Sequence, residues 1–572
     1  MPVLGLSLYH YDNGHLVLHA MPVMIGVLAI FTIAFRYYSA FLAAKVAALD
    51  DSRVTPAHRF NDGQNYHPTN KWVLFGHHFA AISGAGPLIG PVLAIQYGYM
   101  PGLIWLVVGV CLAGAVQDML VLAASVRRDG KSLAEIARHE LGRPAAIVAS
   151  VAILFIIVIA LAGLGFVVVK ALGGEEAKLP AGMEIRSPEG SEVQLQPGEA
   201  AVYNFPPGCS VRYLPGEPEV NRPERFIVIL PEAQSIQDIR AEIITLPPGC
   251  VQVIPGSSWG TFTIAATIPI ALLVGLWMYR LRPGKVVEAS LIGGILVLTA
   301  TVGGSLIPGS PLERFFSLGK EETILALCTY GFVAAVLPVW LLLGPRDYLS
   351  SFLKIGTVGL LVVSVIVANP SLEAPKLNEV FLNGGPTFPG NIFPFVFICV
   401  MCGAVSGFHA LVSSGTTPKM IDRESHIRTI GYGSMLIESL VGVVALIAAA
   451  CLPPQLYYDI NIAIDRAPEF ASQVQQITTE YGPRQLPEAA ADPLHQVGAT
   501  SISHLNLGEV EEKVGGESLR GRTGGAVTLA VGMSVIFDQA FHWLGVTGDW
   551  LLKYWYHFAI MFEALFILTT ID

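Results

Sequence analysis

In the stretch "GHHFAAISGAGPLIGP", residues 76–91, two adjacent histidines precede glycines and prolines inside a segment apolar enough to cross a bilayer. Gly84, Gly86, Pro87, Gly90 and Pro91 together cannot sustain a regular helix: each proline removes a backbone donor and crowds the preceding turn, and glycine lowers helix propensity. A helix broken at membrane depth frees N–H and C=O groups that hydrocarbon cannot satisfy, so the break predicts a cavity lined by protein. Secondary transporters place substrates and ions at such breaks. The plainer alternative is a kink that lets helices pack closely. Ser83, Gly84, Ala85, Gly86 and Pro87 are therefore the first candidate substrate-binding residues. A half-helix N-terminus carries partial positive charge and open donors, which suits a carboxylate.

A second interruption is expected in "YGFVAAVLPVWLLLGPRDYLSSFLKIG", at Pro338 and again at Gly344-Pro345, and it adds Tyr330, Pro338, Trp340 and Arg346 to the substrate candidates. Arg346 offers a two-pronged donor for a carboxylate, and a gate pair with Asp347 or an interfacial anchor are its alternatives. His77, His78, Asp118 and Glu438 are candidates for proton coupling, and His409 for substrate, because titratable groups at membrane depth are rare and functional by default. Interfacial hydrogen bonding is the competing reading for His77 and Asp118. The hydroxyls of Ser413, Ser414, Thr416 and Thr417 suit a cation or a cap, and a sodium site would join Ser413 and Ser414 to the carbonyls of the broken segment.

The elements that must hold these groups follow from composition. The chain has 572 residues, 53% hydrophobic and 14% charged, with mean hydropathy +0.57, and apolar runs near ~20 residues recur along it. An all-α polytopic membrane protein is expected, with spans at 16–44, 73–98, 102–125, 144–172, 260–280, 286–307, 323–343, 347–368, 392–414, 429–452, 525–545 and 550–570. Setting the first aside, spans 2–6 and 7–11 read as two five-helix halves that enter from opposite sides, a leucine-transporter-like inverted repeat. The segments are then 1–174 with broken span 73–98, a β-rich insert 175–258, 259–453 with broken span 323–343, a polar insert 454–524, and 525–572. Lys and Arg alternate between loops so that the N-terminus and both inserts fall outside the cytoplasm. There Cys209 and Cys250, each closing a Pro-Pro-Gly-Cys, would form a disulfide. Cys111, Cys328, Cys399, Cys402 and Cys451 read as packing residues, and the Cys399/Cys402 pair is a weak metal motif without a second pair.

The formal charge of −10 sits mostly in the inserts, which argues against a nucleic-acid partner. An intramembrane enzyme fits poorly: HExxH is absent, "GVTGDW" lacks GxGD spacing, and no catalytic residue or cofactor is expected. A nutrient sensor that binds without transport is the remaining class.

Six segments carry a denser signal: "NDGQNYHPTNKWVLFGHHFAAISGAGPLIGPVLA", "GAVQDMLVLAASVRRDGKSLAEIA", "TIPIALLVGLWMYRLRPGKVVEASLIG", "LPVWLLLGPRDYLSSFLKIG", "CGAVSGFHALVSSGTTPKMI" and "YHFAIMFEALFILTTID". Together they resemble the carbon starvation protein A family, over nearly the whole membrane portion from residue 61 but without the first insert. The resemblance implies a bacterial inner-membrane transporter of the amino acid–polyamine–organocation superfamily, taking up pyruvate or peptides, with pyruvate members running as proton symporters. Family chains continue past the last motif, whereas this one stops at Asp572 within it. A fragment, or a second polypeptide supplying further helices, is the expectation from that departure.

Overall fold

The computed structural model describes residues 8–571 apart from 483–505 and short stretches at 13–14, 64, 189, 192, 196–201, 214–215, 217–218, 223–224, 232–235, 237–240, 283–284, 338–342, 544, 547 and 549. Among the described residues eight helices are long and apolar enough to cross a bilayer, and a bent pair makes a ninth. The chain is a multi-pass membrane protein.

In chain order the helices are α1 (Ala20–Val46), the bent pair α2 (Lys71–Ile82) and α3 (Ala85–Ala94), α4 (Tyr99–Val126) and α5 (Arg143–Leu172). Beyond the first insert come α6 (Ser258–Leu276), α7 (Val286–Gly303), α8 (Lys320–Val336) and α9 (Leu343–Ala368). Three short pieces follow, α10 (Ile392–Cys399), α11 (Met401–Ala404) and α12 (Gly407–Ser413), then α13 (Arg428–Ala450). The second insert holds α14 (Pro454–Asn461), α15 (Ala467–Tyr481) and α16 (Leu507–Lys513), before α17 (Ala526–Trp543) and α18 (Trp550–Ile571).

Twelve spans were expected, two of them broken, and the differences have local causes. The span expected at 392–414 is three pieces, because Val400, Val405 and Ser406 leave helical geometry. The span expected at 323–343 stops at Val336, and Pro338 and Trp340 lie outside the described residues. The Gly344-Pro345 break is instead the first turn of α9, where a proline's missing N–H breaks no helical bond. The span expected at 525–545 becomes α17, with a shorter apolar stretch, Ala526–His542.

α13 forms the centre of the bundle, its membrane window 94% buried, while α5 stands at the rim with 6% of its window buried. Small residues make that centre possible. A Cβ on Gly442 would lie 3.5 Å from the Pro87 carbonyl oxygen, so α3 rests almost directly on the α13 backbone.

The first insert is built of strands. A four-stranded antiparallel sheet runs in the order Ile243–Thr245, Glu184–Arg186, Cys209–Arg212, Val220–Arg222, and a five-stranded one Glu175–Lys178, Val251–Ile254, Phe226–Ile229, Val202–Phe205, Gln194–Leu195. Alternating inward residues such as Val211, Phe205, Val228 and Ile244 close a shared core. The expected disulfide is absent: Cys209 and Cys250 are free thiols. Cys209 belongs to a strand of the four-stranded sheet and donates to the Pro206 carbonyl at 3.1 Å, whereas Cys250 leads into the five-stranded sheet. Burial pushes both thiols up, Cys250 to about 11.

Arg222 ties this insert to the second through Ser518 at 2.9 Å, and His15 of the N-terminal hairpin (Tyr9–Asp12 against His15–Leu18) lies 4.0 Å from Glu480 of α15. The hairpin and both inserts therefore share one face. On another, buried Glu424 accepts from Arg53 and Arg127, each at 3.0 Å, and from the Asp50 N–H at 3.0 Å.

Candidate functional site

The bend between α2 and α3 is 50°. Asn70 caps α2 by accepting from the Trp72 N–H at 2.9 Å, and Ser83 and Gly84 leave helical geometry at its other end. Helix α3 then restarts at Ala85 and carries Pro91 inside it. Three elements pack on the break. A Cβ on Gly84 would come within 3.2 Å of Leu164 on α5 and Thr570 on α18.

From α9, Lys354 fills the C-terminal end of α2. Its Nζ donates to the carbonyls of Ala80 (3.1 Å) and Ser83 (3.0 Å), and to that of Phe566 on α18 (3.2 Å). Thr570 donates to the same Ser83 carbonyl at 3.2 Å. The Ala80 and Ser83 carbonyls end a helix that cannot bond them internally, so the ammonium satisfies them much as a bound cation would. Beside it the buried Ser83 hydroxyl has no hydrogen-bond partner among the described residues. One turn before Phe566, buried Glu563 has neither carboxyl oxygen hydrogen-bonded among the described residues.

A second polar centre lies where α3 crosses α10 and α11. The contacts pair Gly86 with Cys402 and Gly90 with Cys399, so the segments run antiparallel. A Cβ on Gly86 would overlap the Cys402 side chain, and one on Gly90 the Cys399 carbonyl. Neither glycine has positive φ, so close packing, the plainer alternative, explains both. Behind Cys402, buried His409 has Nδ1 3.3 Å from Asp118 Oδ2 and Nε2 3.2 Å from Glu438 Oε2. The Cys402 thiol lies 3.7 Å from the same Nε2 and donates to Glu438 Oε1 at 3.5 Å. A histidine held between two carboxylates can take or pass a proton, or act as a ligand.

The family model for carbon starvation protein CstA matches residues 19–572. The chain belongs to the CstA family. It is 41% identical to the peptide transporter CstA of Escherichia coli K12 over 97% of this chain and 65% of that protein. It is 40% identical to the peptide transporter CstA of Campylobacter jejuni over 98% of this chain and 65% of that one. The pyruvate/proton symporter BtsT of Escherichia coli K12 is 39% identical, over 97% of this chain and 66% of that protein. The chain thus spans just under two thirds of the length of these CstA relatives. No solved structure matches.

In this CstA-family chain Ser83 to Pro87 sit at the break and its first turn, as expected from sequence. His409, read as a substrate group, instead bridges the proton candidates Asp118 and Glu438. His78 is buried with Nδ1 2.9 Å from the Thr417 hydroxyl, while His77 is half-buried. Tyr330 and Arg346 come together, the guanidinium 4.6 Å from the ring centroid, and Tyr330 lines an apolar groove between α6 and α8. Of the groups expected to form a sodium site, Ser414 donates back to the Ala410 carbonyl at 2.9 Å, the buried Ser413 hydroxyl has no hydrogen-bond partner among the described residues, and Lys354 holds the Ala80 and Ser83 carbonyls. Sequence reasoning missed Lys354, whose partners are far away in the chain. Glu563 was readable as an acid alone in the apolar run "FAIMFEALFILTT".

Proposed function

We propose that this chain carries the transport core of a proton-coupled symporter for a small carboxylate, with pyruvate first, in a bacterial inner membrane. The observation that carries the reading is the α2–α3 break with Lys354 seated in its carbonyls. A fixed ammonium occupies the place where broken-helix transporters bind sodium, which favours protons as the coupled ion. The opposite lip, the N-terminus of α3 beside the unpartnered Ser83 hydroxyl, offers donors to a carboxylate. Glu563 is the proton carrier on this reading, since a carboxyl without a partner is tolerated in hydrocarbon chiefly in its neutral form. The name of the relative BtsT, a pyruvate/proton symporter, supports the same choice. Inverted five-helix halves and an extracytoplasmic placement of the hairpin and inserts belong to the proposal. The names of the CstA relatives favour short peptides as the second reading.

The test uses proteoliposomes and labelled pyruvate. A pH gradient should drive accumulation, a sodium gradient should not, and excess di- or tripeptide should leave pyruvate uptake unchanged. Glu563→Gln should abolish gradient-driven accumulation and keep counterflow. Competition by peptides would move the substrate to the second reading, and binding without counterflow would make the chain a sensor.

A further inference from the structure

Three chemically different ligating groups converge at the crossing of α3 with α11, from three separate elements. Cys402 lies on α11, His409 on α12 and Glu438 on α13, and one ligand atom from each lies within 4.8 Å of the others. In a continuous helix, residues seven apart are two turns apart, about 10 Å along the axis. The non-helical Val405 and Ser406 between α11 and α12 undo that separation and bring Cys402 Sγ to 3.7 Å from His409 Nε2.

We propose that Cys402 Sγ, His409 Nε2 and a Glu438 carboxylate oxygen form a binding site for one borderline divalent transition-metal ion, zinc(II) by its chemistry. Cys402 Sγ lies 3.7 Å from His409 Nε2 and 3.5 Å from Glu438 Oε1, while the other carboxylate oxygen, Oε2, lies 3.2 Å from Nε2. Tetrahedral zinc with bonds of about 2.0–2.3 Å sets its sulfur, nitrogen and oxygen ligands roughly 3.3–3.6 Å apart, and a turn of the Glu438 carboxyl that brings one oxygen toward both partners completes that set. A thiolate and a carboxylate neutralise the two charges of the ion, which makes it tolerable in an apolar interior.

The surroundings match a metal site as well. Asp118 lies 3.3 Å from the other ring nitrogen of His409, where a carboxylate orients a ligating imidazole and leaves Nε2 free to bind. Met435 Sδ also lies on the Nδ1 side, 3.2 Å from that nitrogen. Binding forms the zinc–sulfur bond and releases the thiol proton to solvent. This site stands apart from Glu563 and does not depend on what the protein transports.

The test takes the full chain in detergent with its affinity tag removed, loads it with cobalt(II) or zinc(II), dialyses it, and measures metal by mass spectrometry and absorption. One ion per chain is expected, with a thiolate-to-cobalt charge-transfer band in the near ultraviolet. Cys402→Ser should remove the band and weaken binding at least tenfold, while Cys399→Ser should change neither. Asp118→Asn should keep the band and weaken binding ten- to a hundredfold, an effect that mere misfolding would not produce with the band intact. Absence of bound metal in the unaltered chain, or a band that survives Cys402→Ser, overturns the assignment.

Discussion

At the α2–α3 break an ammonium group meets backbone carbonyls, at Ala80, Ser83 and Phe566, whereas opposite Gly86 an imidazole meets the side chains of Asp118, Glu438 and Cys402. Carbonyls neither change charge nor turn away without unwinding a helix, so the first centre is fixed. Side chains exchange protons or metal and rotate, so the second is adjustable. Both lie along the opening turns of α3, which suggests a division of labour: one centre holds the break open and positive, and the other sets its chemical state.

The largest effect should come from removing the fixed centre. Lys354→Met takes the ammonium from three carbonyls and leaves them only the Thr569 and Thr570 hydroxyls as side-chain donors, a loss of about 1–3 kcal/mol or more, and should lower the thermal midpoint sharply and abolish uptake. The comparison is sharpened by Lys354→Ala, which vacates the carbonyl cradle without filling it. Sodium should raise the thermal midpoint of that variant and leave wild type unchanged, because an ion that binds only the folded state stabilises it. If sodium stabilises neither protein, the cradle is not a cation site and the argument for protons over sodium loses its footing.

A smaller effect is expected where the two centres are joined by packing. Gly90→Ala drives a methyl into the Cys399 carbonyl, backbone that cannot yield, and should destabilise by about 1–3 kcal/mol. Gly86→Ala meets the Cys402 side chain instead. That side chain can rotate, so the change should disturb the adjustable centre more than the fold, seen as a smaller midpoint shift. Equal shifts for the two variants in thermal denaturation would mean that the crossing is rigid throughout and that the adjustable centre is not adjustable.

Residue types made the break legible: Gly84, Gly86 and Pro87 predict that α2 stops, and it stops at Ile82. Of the second interruption expected by the same rule, Pro338 lies outside the described residues and Gly344-Pro345 is the first turn of α9. Span nine has no proline between Cys399 and Ser413, yet it breaks twice where it crosses α3, because the crossing is a tertiary fact. Nothing near Lys354 in sequence announces the carbonyls of residues 80, 83 and 566 as its partners. Cys402 and His409, seven apart, gave no ligand spacing on a straight helix and acquire one only through the break. The β-rich character of the first insert was legible from its alternation and turns, and the pairing of its strands was not.

The smallest effect belongs to a third polar centre that lies outside the membrane-spanning segments and supplies the reference for the other two. Burial pushes the Glu424 carboxyl up, but hydrogen bonds from Arg127 and the Asp50 N–H, with the charges of Arg127 and Arg53, outweigh it and hold it below its ordinary 4.5. A carboxyl depressed on folding contributes its stability in full above the unfolded value and loses it as pH falls through the folded one. Because both arginines are partly exposed, the contribution should be modest, roughly 1 kcal/mol. The difference in thermal midpoint between wild type and Glu424→Gln should therefore be full at neutral pH, begin to shrink below about pH 4.5, and vanish in stronger acid. Lys354→Met should show no such closing of the gap, because the carbonyls it loses do not titrate. A Glu424→Gln difference that is constant from neutral pH to strong acid would mean the carboxylate is not ionised against its arginines, and a Lys354→Met difference that closes in acid would mean the fixed centre is fixed by something other than backbone.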